Sequence, residues 1–390
     1  MSETRLQEFL PFHRPHLGEE EIAEVVDTLR SGWLTLGPKT QRFETKFAEA
    51  VGAEHAVAVS SCTAALHLAL ESFGVGPGDE VITSPYTFTS TVASILYVGA
   101  TPVLADTLPE WPNLDPASVS RAVSDRTKVI LPVHFAGAPC DMDAMEEIAR
   151  DCGATILEDA AHALPATYKG RTVGSIGKAT AFSLYAGKNI TTGEGGMLTT
   201  DDADVADTVR RKRLHGISRD AWKRYTAEGS WYYEVESLGF KYNMTDINAA
   251  IGIHQLDRVE EFQDRRRKIV AYYDELLAGV PGIIRPEAPD SCESAWHLYV
   301  VRIDPESVSM SRNDVIESLK DDNIGTSVHF IPVHHHPLYQ DRLGCRRGDY
   351  PNASRLYEQS ISLPLFPTMT DSDVEGVARS LTRIVTENAR

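Results

Sequence analysis

Residues 179–200 read ATAFSLYAGKNITTGEGGMLTT. Two short apolar runs, 179–184 and 197–200, have strand character, and the glycine-rich loop between them carries one lysine, Lys188. A lysine held between a strand and a tight loop can be desolvated, which lowers its pKa and makes the amine a nucleophile. The glycines permit backbone turns beside a bound group. Ser183, at the end of the first run, is a candidate phosphate ligand. A single lysine is far more often a solvated surface residue, so the segment needs other residues before it means catalysis.

Outward from this segment the chain alternates. Strand-like runs fall at 56–59, 80–83, 102–105, 128–133 and 154–157, and helical stretches at 64–73, 88–98, 115–123, 141–152 and 202–214. Two further helices precede them, over 19–30 and 39–51. Strand–helix alternation predicts an α/β fold whose central sheet is mostly parallel and sandwiched by helices. Residues 245–280 read as one long helical region, followed by a strand at 297–303, a helix at 311–322 and a last helix from about 371 to 389. At ~150 residues per domain, the expected division is a large domain over 1–260, carrying the N-terminal segment, and a smaller C-terminal α/β domain over 261–390.

Composition narrows the function. The chain has 390 residues and a net charge of −18, from 38 basic and 56 acidic residues. That balance argues against nucleic acid or a membrane surface as a partner, because both favour basic faces. The Arg210–Arg213 run reads as a solvated helix face. Five scattered cysteines show no C-x-x-C pair, which suits reduced thiols rather than disulfides or zinc. The N-terminal residues lack the apolar core of a signal peptide, and no apolar run reaches the ~18–20 residues of a membrane span. The expected location is cytoplasmic. His334, His335 and His336 are adjacent and cannot easily converge on one ion, so no metal is expected there.

Two more motifs join Lys188. Ser61-Cys62-Thr63-Ala64-Ala65 lies between a strand and a helix, where small residues let backbone N–H groups approach an anion at a helix N-terminus; on their own, Ser61 and Thr63 read equally well as helix caps. Glu158-Asp159-Ala160-Ala161-His162 follows the strand at 154–157. An acid at the carboxyl end of a parallel strand points into the crevice where α/β sheets bind ligands. It can keep a ring nitrogen protonated there; the plainer alternative is a cap or a surface ion pair. The order of these motifs, with the aromatic Tyr86-Thr87-Phe88 between the first two, decides for a shared site.

That order, with RSGWLTLGP (30–38), FETKFAEAVGAEHAVAVSSCTAALHLAL (43–70), EDAAHA (158–163), FSLYAGKNITTGEGG (182–196), GFKYNMTDINAAIG (239–252) and SLPLFP (362–367), resembles the DegT/DnrJ/EryC1/StrS family of sugar aminotransferases nearly end to end. The resemblance implies a fold-type I enzyme using pyridoxal 5'-phosphate (PLP). Lys188 resembles the lysine that holds PLP as a Schiff base and shuttles a proton. Asp159 resembles the acid paired with the pyridine nitrogen, and Phe88 the aromatic residue stacked on the ring. Thr63, Ala64 and Ser183 resemble phosphate ligands, and His162 sits where the family has Gln or His near the ring hydroxyl. Trp33, Thr35 and His329 resemble substrate contacts.

The chain departs from the family at two places. It has Ser61-Cys62-Thr63 where many members have S-G-T; a cysteine still offers its backbone N–H. It has Gly239-Phe240-Lys241-Tyr242-Asn243-Met244 where many have GYNYRM, so either Lys241 or Asn243 stands for the asparagine that reaches the neighbouring subunit's cofactor phosphate. The resemblance implies a homodimer with shared active sites. It also implies amino transfer from L-glutamate to a nucleotide-linked keto sugar, with C4 of a dTDP-4-keto-6-deoxyhexose favoured by the KYN spelling. The alternatives are C3 amination of a 3-keto sugar, and a non-catalytic regulatory homologue, against which the intact Asp159 and Lys188 speak.

Overall fold

The computed structural model describes residues 5–217 and 232–390; residues 1–4, part of the N-terminal stretch read above, lie outside the described residues. Strands β1 (His55–Val59), β2 (Glu80–Thr83), β3 (Thr101–Leu104), β4 (Thr127–Leu131) and β5 (Thr155–Asp159) are followed by a short pair, β6 (Thr167–Tyr168) and β7 (Arg171–Thr172), then β8 (Ala179–Ser183) and β9 (Gly196–Thr200). Seven of them form one sheet in the order β1-β9-β8-β5-β4-β2-β3. Only β9 runs against its neighbours. This is the mixed α/β, mostly parallel sheet that the alternation predicts.

Helices α1 (Glu19–Ser31), α2 (Pro38–Val51), α3 (Cys62–Ser72), α4 (Thr89–Tyr97), α5 (Pro116–Ala122), α6 (Met142–Cys152) and α7 (Ala203–Lys212) fill the gaps. Successive strand residues point to opposite faces, and here both faces are buried. Val57, Val59, Val129, Leu131, Leu157 and Ala181 pack on one side with α3 and α7. Ala56, Ala58 and Phe182 pack on the other with Phe43 and Phe47 of α2, and Ile82, Ile130 and Ile156 with Met142 and Met145 of α6. Burial on both faces is why these strands read as continuous apolar runs rather than alternating ones.

The helical region 245–280 is two helices, α8 (Asp246–Asp257) and α9 (Val259–Leu276), broken at Arg258. Helix α9 spans two cores: Phe262 belongs to the one beneath α2, whereas Ile269, Val270 and Tyr273 belong to a second. Strands β10 (Ile283–Ile284), β11 (Cys292–Glu293), β12 (Tyr299–Ile303) and β13 (Ser360–Leu363), with helices α10 (Arg312–Asp321), α11 (Pro337–Leu343), α12 (Pro351–Gln359) and α13 (Asp371–Glu387), complete the described chain. An antiparallel sheet β10-β12-β13 carries the second core with α9, α10 and α13. The N-terminal segment joins it: Leu10 is buried there and its amide donates to the Asn323 carbonyl at 2.8 Å.

The run 210–213 corrects the expectation of a solvated face at one position. Arg213 is buried, donating to Ala58 O at 2.7 Å and pairing with Glu44. Arg210 pairs with Asp207 and Arg211 with Glu236, each at 3.4 Å, and Lys212 pairs with Glu71. No described helix is long and apolar enough to cross a membrane, and the five cysteines are unpaired.

Candidate active site

The parallel strands β1, β2, β4, β5 and β8 end on one edge of the sheet, where α/β folds bind ligands. The segments that leave them line a cavity of about 370 Å3: Ser61, Cys62 and Thr63 after β1, Thr87 and Phe88 after β2, His134 after β4, Asp159 and His162 after β5, and Ser183 and Lys188 after β8. His329 and Phe330 close it from the C-terminal region. Of the residues singled out in the sequence, Thr63, Phe88, Asp159, His162, Ser183, Lys188 and His329 therefore meet in one place.

Ser61 caps α3, its Oγ accepting the Ala64 amide at 3.1 Å. Ala64 is buried, does not line the cavity, and its N–H is already used. Cap and anion site are compatible here, because the amides of Cys62 and Thr63 precede the first intrahelical acceptor. Close approach of this turn to the sheet needs Gly196: a Cβ there would stand 2.3 Å from the Ser61 carbonyl carbon and 2.5 Å from the Cys62 amide.

Adjacent residues on β5 do different work. Glu158, fully buried, accepts from Gly177 N (2.7 Å), Thr180 Oγ1 (2.7 Å) and His134 Nε2 (2.8 Å). Burial opposes its charge, but these hydrogen bonds hold its pKa below the usual carboxylate value. Asp159, on the opposite face, accepts from Thr91 Oγ1 (2.7 Å) and the Ala161 amide (3.1 Å). No cation among the described residues forms an ion pair with it, and burial pushes its carboxyl above the ordinary value.

The Lys188 amine has no hydrogen bond or ion pair among the described residues. Burial, the largest influence, lowers its pKa to about 8, while Cys62 and Asp159 pull the other way. The loop that carries it is braced: Thr192 N and Thr191 Oγ1 both donate to Leu184 O, at 2.9 and 3.1 Å. The nearby histidines are kept neutral, chiefly by burial. His162 lies well below its ordinary value, and His329 falls to about 3.

A buried carboxylate with no ion-pair partner among the described residues, sharing a cavity with a buried amine, with Phe88 exposed beside them and a helix N-terminus at one end, fits PLP. A pyridinium would give Asp159 its missing cation, Lys188 can hold the aldehyde, and the volume lies within the range of cofactor pockets. Among the described residues no arginine and no other lysine line the cavity; the donors they offer a phosphate there are backbone amides and hydroxyls.

Four predicted residues lie elsewhere. Trp33, Thr35, Lys241 and Asn243 do not line the cavity. Asn243 Nδ2 donates to Thr35 Oγ1 (3.5 Å), and Asn243 Oδ1 accepts from Lys241, so Lys241 and Asn243 are in direct contact. Trp33 Nε1 donates to Leu36 O at 3.1 Å. Sequence reasoning missed Asp246, whose buried carboxylate fastens this cluster. It accepts from the amides of Gly37 (2.8 Å), Lys39 (3.0 Å) and Thr40 (2.9 Å) and from Thr40 Oγ1 (2.6 Å). Also missed were Thr91, His297 and His13, whose Nε2 meets Ala186 O at 3.2 Å. Their partners are 68 to 173 positions away, so local pattern gives no signal for them. His334 and His335 both contact Ser354 Oγ, at 3.1 and 2.9 Å.

Fold and cavity together define a PLP-dependent aminotransferase of fold type I. The profile of the DegT/DnrJ/EryC1/StrS aminotransferase family matches residues 15–382, and the chain belongs to that family. It is 55% identical to the spore coat polysaccharide biosynthesis protein SpsC of Bacillus subtilis, over 97% of each chain. Spr1654 of Streptococcus pneumoniae in its PMP form superposes with a TM-score of 0.91 at 36% identity, covering 97% of this chain and 99% of that one. DesI in the presence of its TDP-sugar product gives a TM-score of 0.87 at 32% identity, covering 98% and 94%. The protein is thus a sugar aminotransferase that uses PLP.

Proposed function

We propose that the chain moves an amino group from L-glutamate to C4 of a dTDP-linked 4-keto-6-deoxyhexose, working in the cytoplasm as a homodimer with shared sites. The observation that carries the amino-transfer chemistry is the meeting, in one cavity, of a buried carboxylate without an ion-pair partner among the described residues, Asp159, and an amine of lowered pKa, Lys188. The TDP-sugar product named with DesI supports a nucleotide-linked sugar, and the KYN spelling at 241–243 favours C4.

PLP, when bound, supplies an electron sink for the carbanion at the substrate carbon. The chain's own groups do the rest. Asp159 would hold a proton on the ring nitrogen. Lys188 would hold the cofactor and, once released, carry a proton to and from the substrate carbon as a neutral amine. Phe88 would cover the ring. Thr63 and Ser183 would bind the phosphate with the first amides of α3, and Ala64 would add to that end of the helix rather than donate a free N–H. His162 and His329 would face cofactor and sugar as uncharged groups. Trp33, Thr35 and the Lys241–Asn243 pair would serve the second subunit's site. A large domain over 1–260 and a small one over 261–390, hinged within α9, completes the proposal.

The test is incubation of purified enzyme with L-glutamate and a panel of dTDP- and UDP-linked 3-keto and 4-keto sugars, with products identified by NMR. Amination at C4 of the dTDP-4-keto sugar is expected. Product only from a 3-keto sugar would move the assignment to C3, and no product with a bound cofactor would favour a regulatory homologue.

A further inference from the structure

His162 faces the cavity from the segment after β5, and a separate short turn packed against it, Phe135–Gly137, fixes its chemistry. Ala136, between Phe135 and Gly137, adopts φ 56° and ψ 8°, the left-handed region that a side chain disfavours. Held so, Ala136 donates its amide N–H to His162 Nδ1 at 3.3 Å and accepts the His297 amide at 2.9 Å through its carbonyl. Gly137 permits the fold-back: at φ 96°, a Cβ there would stand 2.9 Å from the Trp296 amide and 3.0 Å from the His162 carbonyl. An amide hydrogen aimed at Nδ1 requires a lone pair there. The proton of a neutral ring must then be on Nε2, which has no hydrogen-bond partner among the described residues and belongs to a side chain that lines the cavity.

A second set of contacts holds the ring in place. The His297 imidazole lies against His162 with centroids 4.3 Å apart, and Phe330 stacks on it at 5.6 Å and 23°. His297 is fixed by Asn189, the neighbour of Lys188. Asn189 Nδ2 gives its hydrogens to Leu164 O (2.9 Å) and Ala295 O (2.8 Å), so its Oδ1 must be the atom that meets His297 Nδ1 at 3.0 Å. His297 therefore carries its proton on Nδ1. The charged or titratable groups acting on His162 are Lys188 and His329, and on His297 they are His162, Lys188, Arg266 and His329; all act with burial to keep both rings uncharged.

We propose that Asn189 and His297 are positioning residues which, with the left-handed Ala136 turn, lock His162 as a neutral imidazole whose only N–H, on Nε2, is presented to the oxygen of a cavity-bound ligand. The inference rests on the PLP-aminotransferase reading only for the ligand; the tautomer belongs to the protein itself. A lock of this kind gives a hydrogen-bond donor that stays on through neutral pH and cannot take the substrate's proton, which leaves proton transfer to Lys188.

Long-range 1H–15N correlation on histidine-labelled enzyme, with and without cofactor, tests it, the His162 signals being assigned by their loss in His162→Gln. Wild type should show His162 Nδ1 unprotonated and Nε2 protonated in both forms, unchanged from pH 6 to 8.5. Asn189→Ala and His297→Phe should give a mixture of tautomers and about five- to ten-fold weaker cofactor retention in equilibrium dialysis, the size expected for one lost hydrogen bond. A wild-type His162 protonated on Nδ1, or one that titrates in that range, overturns the proposal whether or not Asn189→Ala and His297→Phe fold. So do variants with unaltered His162 signals. Failure of the amino-transfer reading would appear separately, as an absent product with the His162 tautomer intact.

Discussion

The Asp246 carboxylate accepts the Gly37 amide at 2.8 Å across 209 positions of sequence. Together with Lys39 and Thr40, that contact makes Asp246 the external cap of α2 and ties the loop carrying Trp33 and Thr35 to the segment carrying Lys241 and Asn243. The tie is reciprocal, since the Asp246 amide donates to Thr35 O at 3.2 Å. Asp246→Ala leaves several buried donors unsatisfied, at a cost of about 3 kcal/mol, and should lower the thermal midpoint. Gly37→Ala attacks the same junction sterically: its Cβ would stand 1.8 Å from Trp33 Nε1 and 2.7 Å from Asp246 Oδ2. Both variants should shift Trp33 fluorescence and raise sugar KM. An Asp246→Ala enzyme with wild-type midpoint and KM would mean that the loop holds itself.

Lys188→Ala removes the only amine that lines the cavity among the described residues. Multiple-turnover amino transfer should fall by about 10³-fold or more, while the fold and the far-ultraviolet circular dichroism stay as they were. Steady-state assay of the purified variant checks this, and normal turnover would end the assignment of Lys188.

The lowered pKa of Lys188 can be measured directly in cofactor-free protein. Burial disfavours the ammonium form, so the folded value, about 8, lies below the ordinary 10.5. At pH 8 half of the Lys188 amines should be neutral, against about 0.3% for an unperturbed lysine. The sign for stability follows: between pH 8 and 10.5 the unfolded chain binds more protons at this site, so Lys188 adds stability as pH rises through that window. Competitive labelling with acetic anhydride, read by mass spectrometry, gives the midpoint. Asp159→Asn removes a group that raises this pKa and should move the midpoint below 8. The same variant should lose on the order of 10²-fold in kcat, because the ring nitrogen loses its charged partner. A midpoint near 10 would show that the amine is solvated.

The parts of the molecule legible in sequence are those whose physics is local. Strand β5 announces itself by the apolar run 154–157, and its next residue pair, Glu158 and Asp159, by position at a carboxyl end. Local pattern does not reveal which of the two adjacent acids faces the cavity; the family resemblance singled out Asp159, and the fold places it there, with Glu158 turned to His134 on the other face. The break at Arg258 was hidden because apolar periodicity continues on both sides of it. Asp246 is a first-turn acid of α8, and its four bonds to residues 37–40 needed the tertiary fold. The same holds for His297, read only as the first residue of a strand.

The Lys241–Asn243 pair bears on whether two chains share each site. Lys241 is exposed and Asn243 half-buried, both outside the cavity of their own chain, yet a cofactor phosphate carries nearly two negative charges and, among the described residues, that cavity offers only Lys188 as a cation. A pair supplied by a second copy would add one charged donor, and losing it should weaken cofactor retention by about 1.5–3 kcal/mol. Mixing two inactive variants, Lys188→Ala and Lys241→Ala/Asn243→Ala, decides the matter after subunit exchange. If the pair crosses the interface, each hybrid dimer gathers both lesions in one site and leaves the other intact, so a 1:1 mixture should recover about a quarter of wild-type activity. If the pair serves its own chain, every hybrid site carries one lesion and no activity returns. Confirmed exchange without recovery, or a fully active Lys241→Ala/Asn243→Ala enzyme, would refute the shared site.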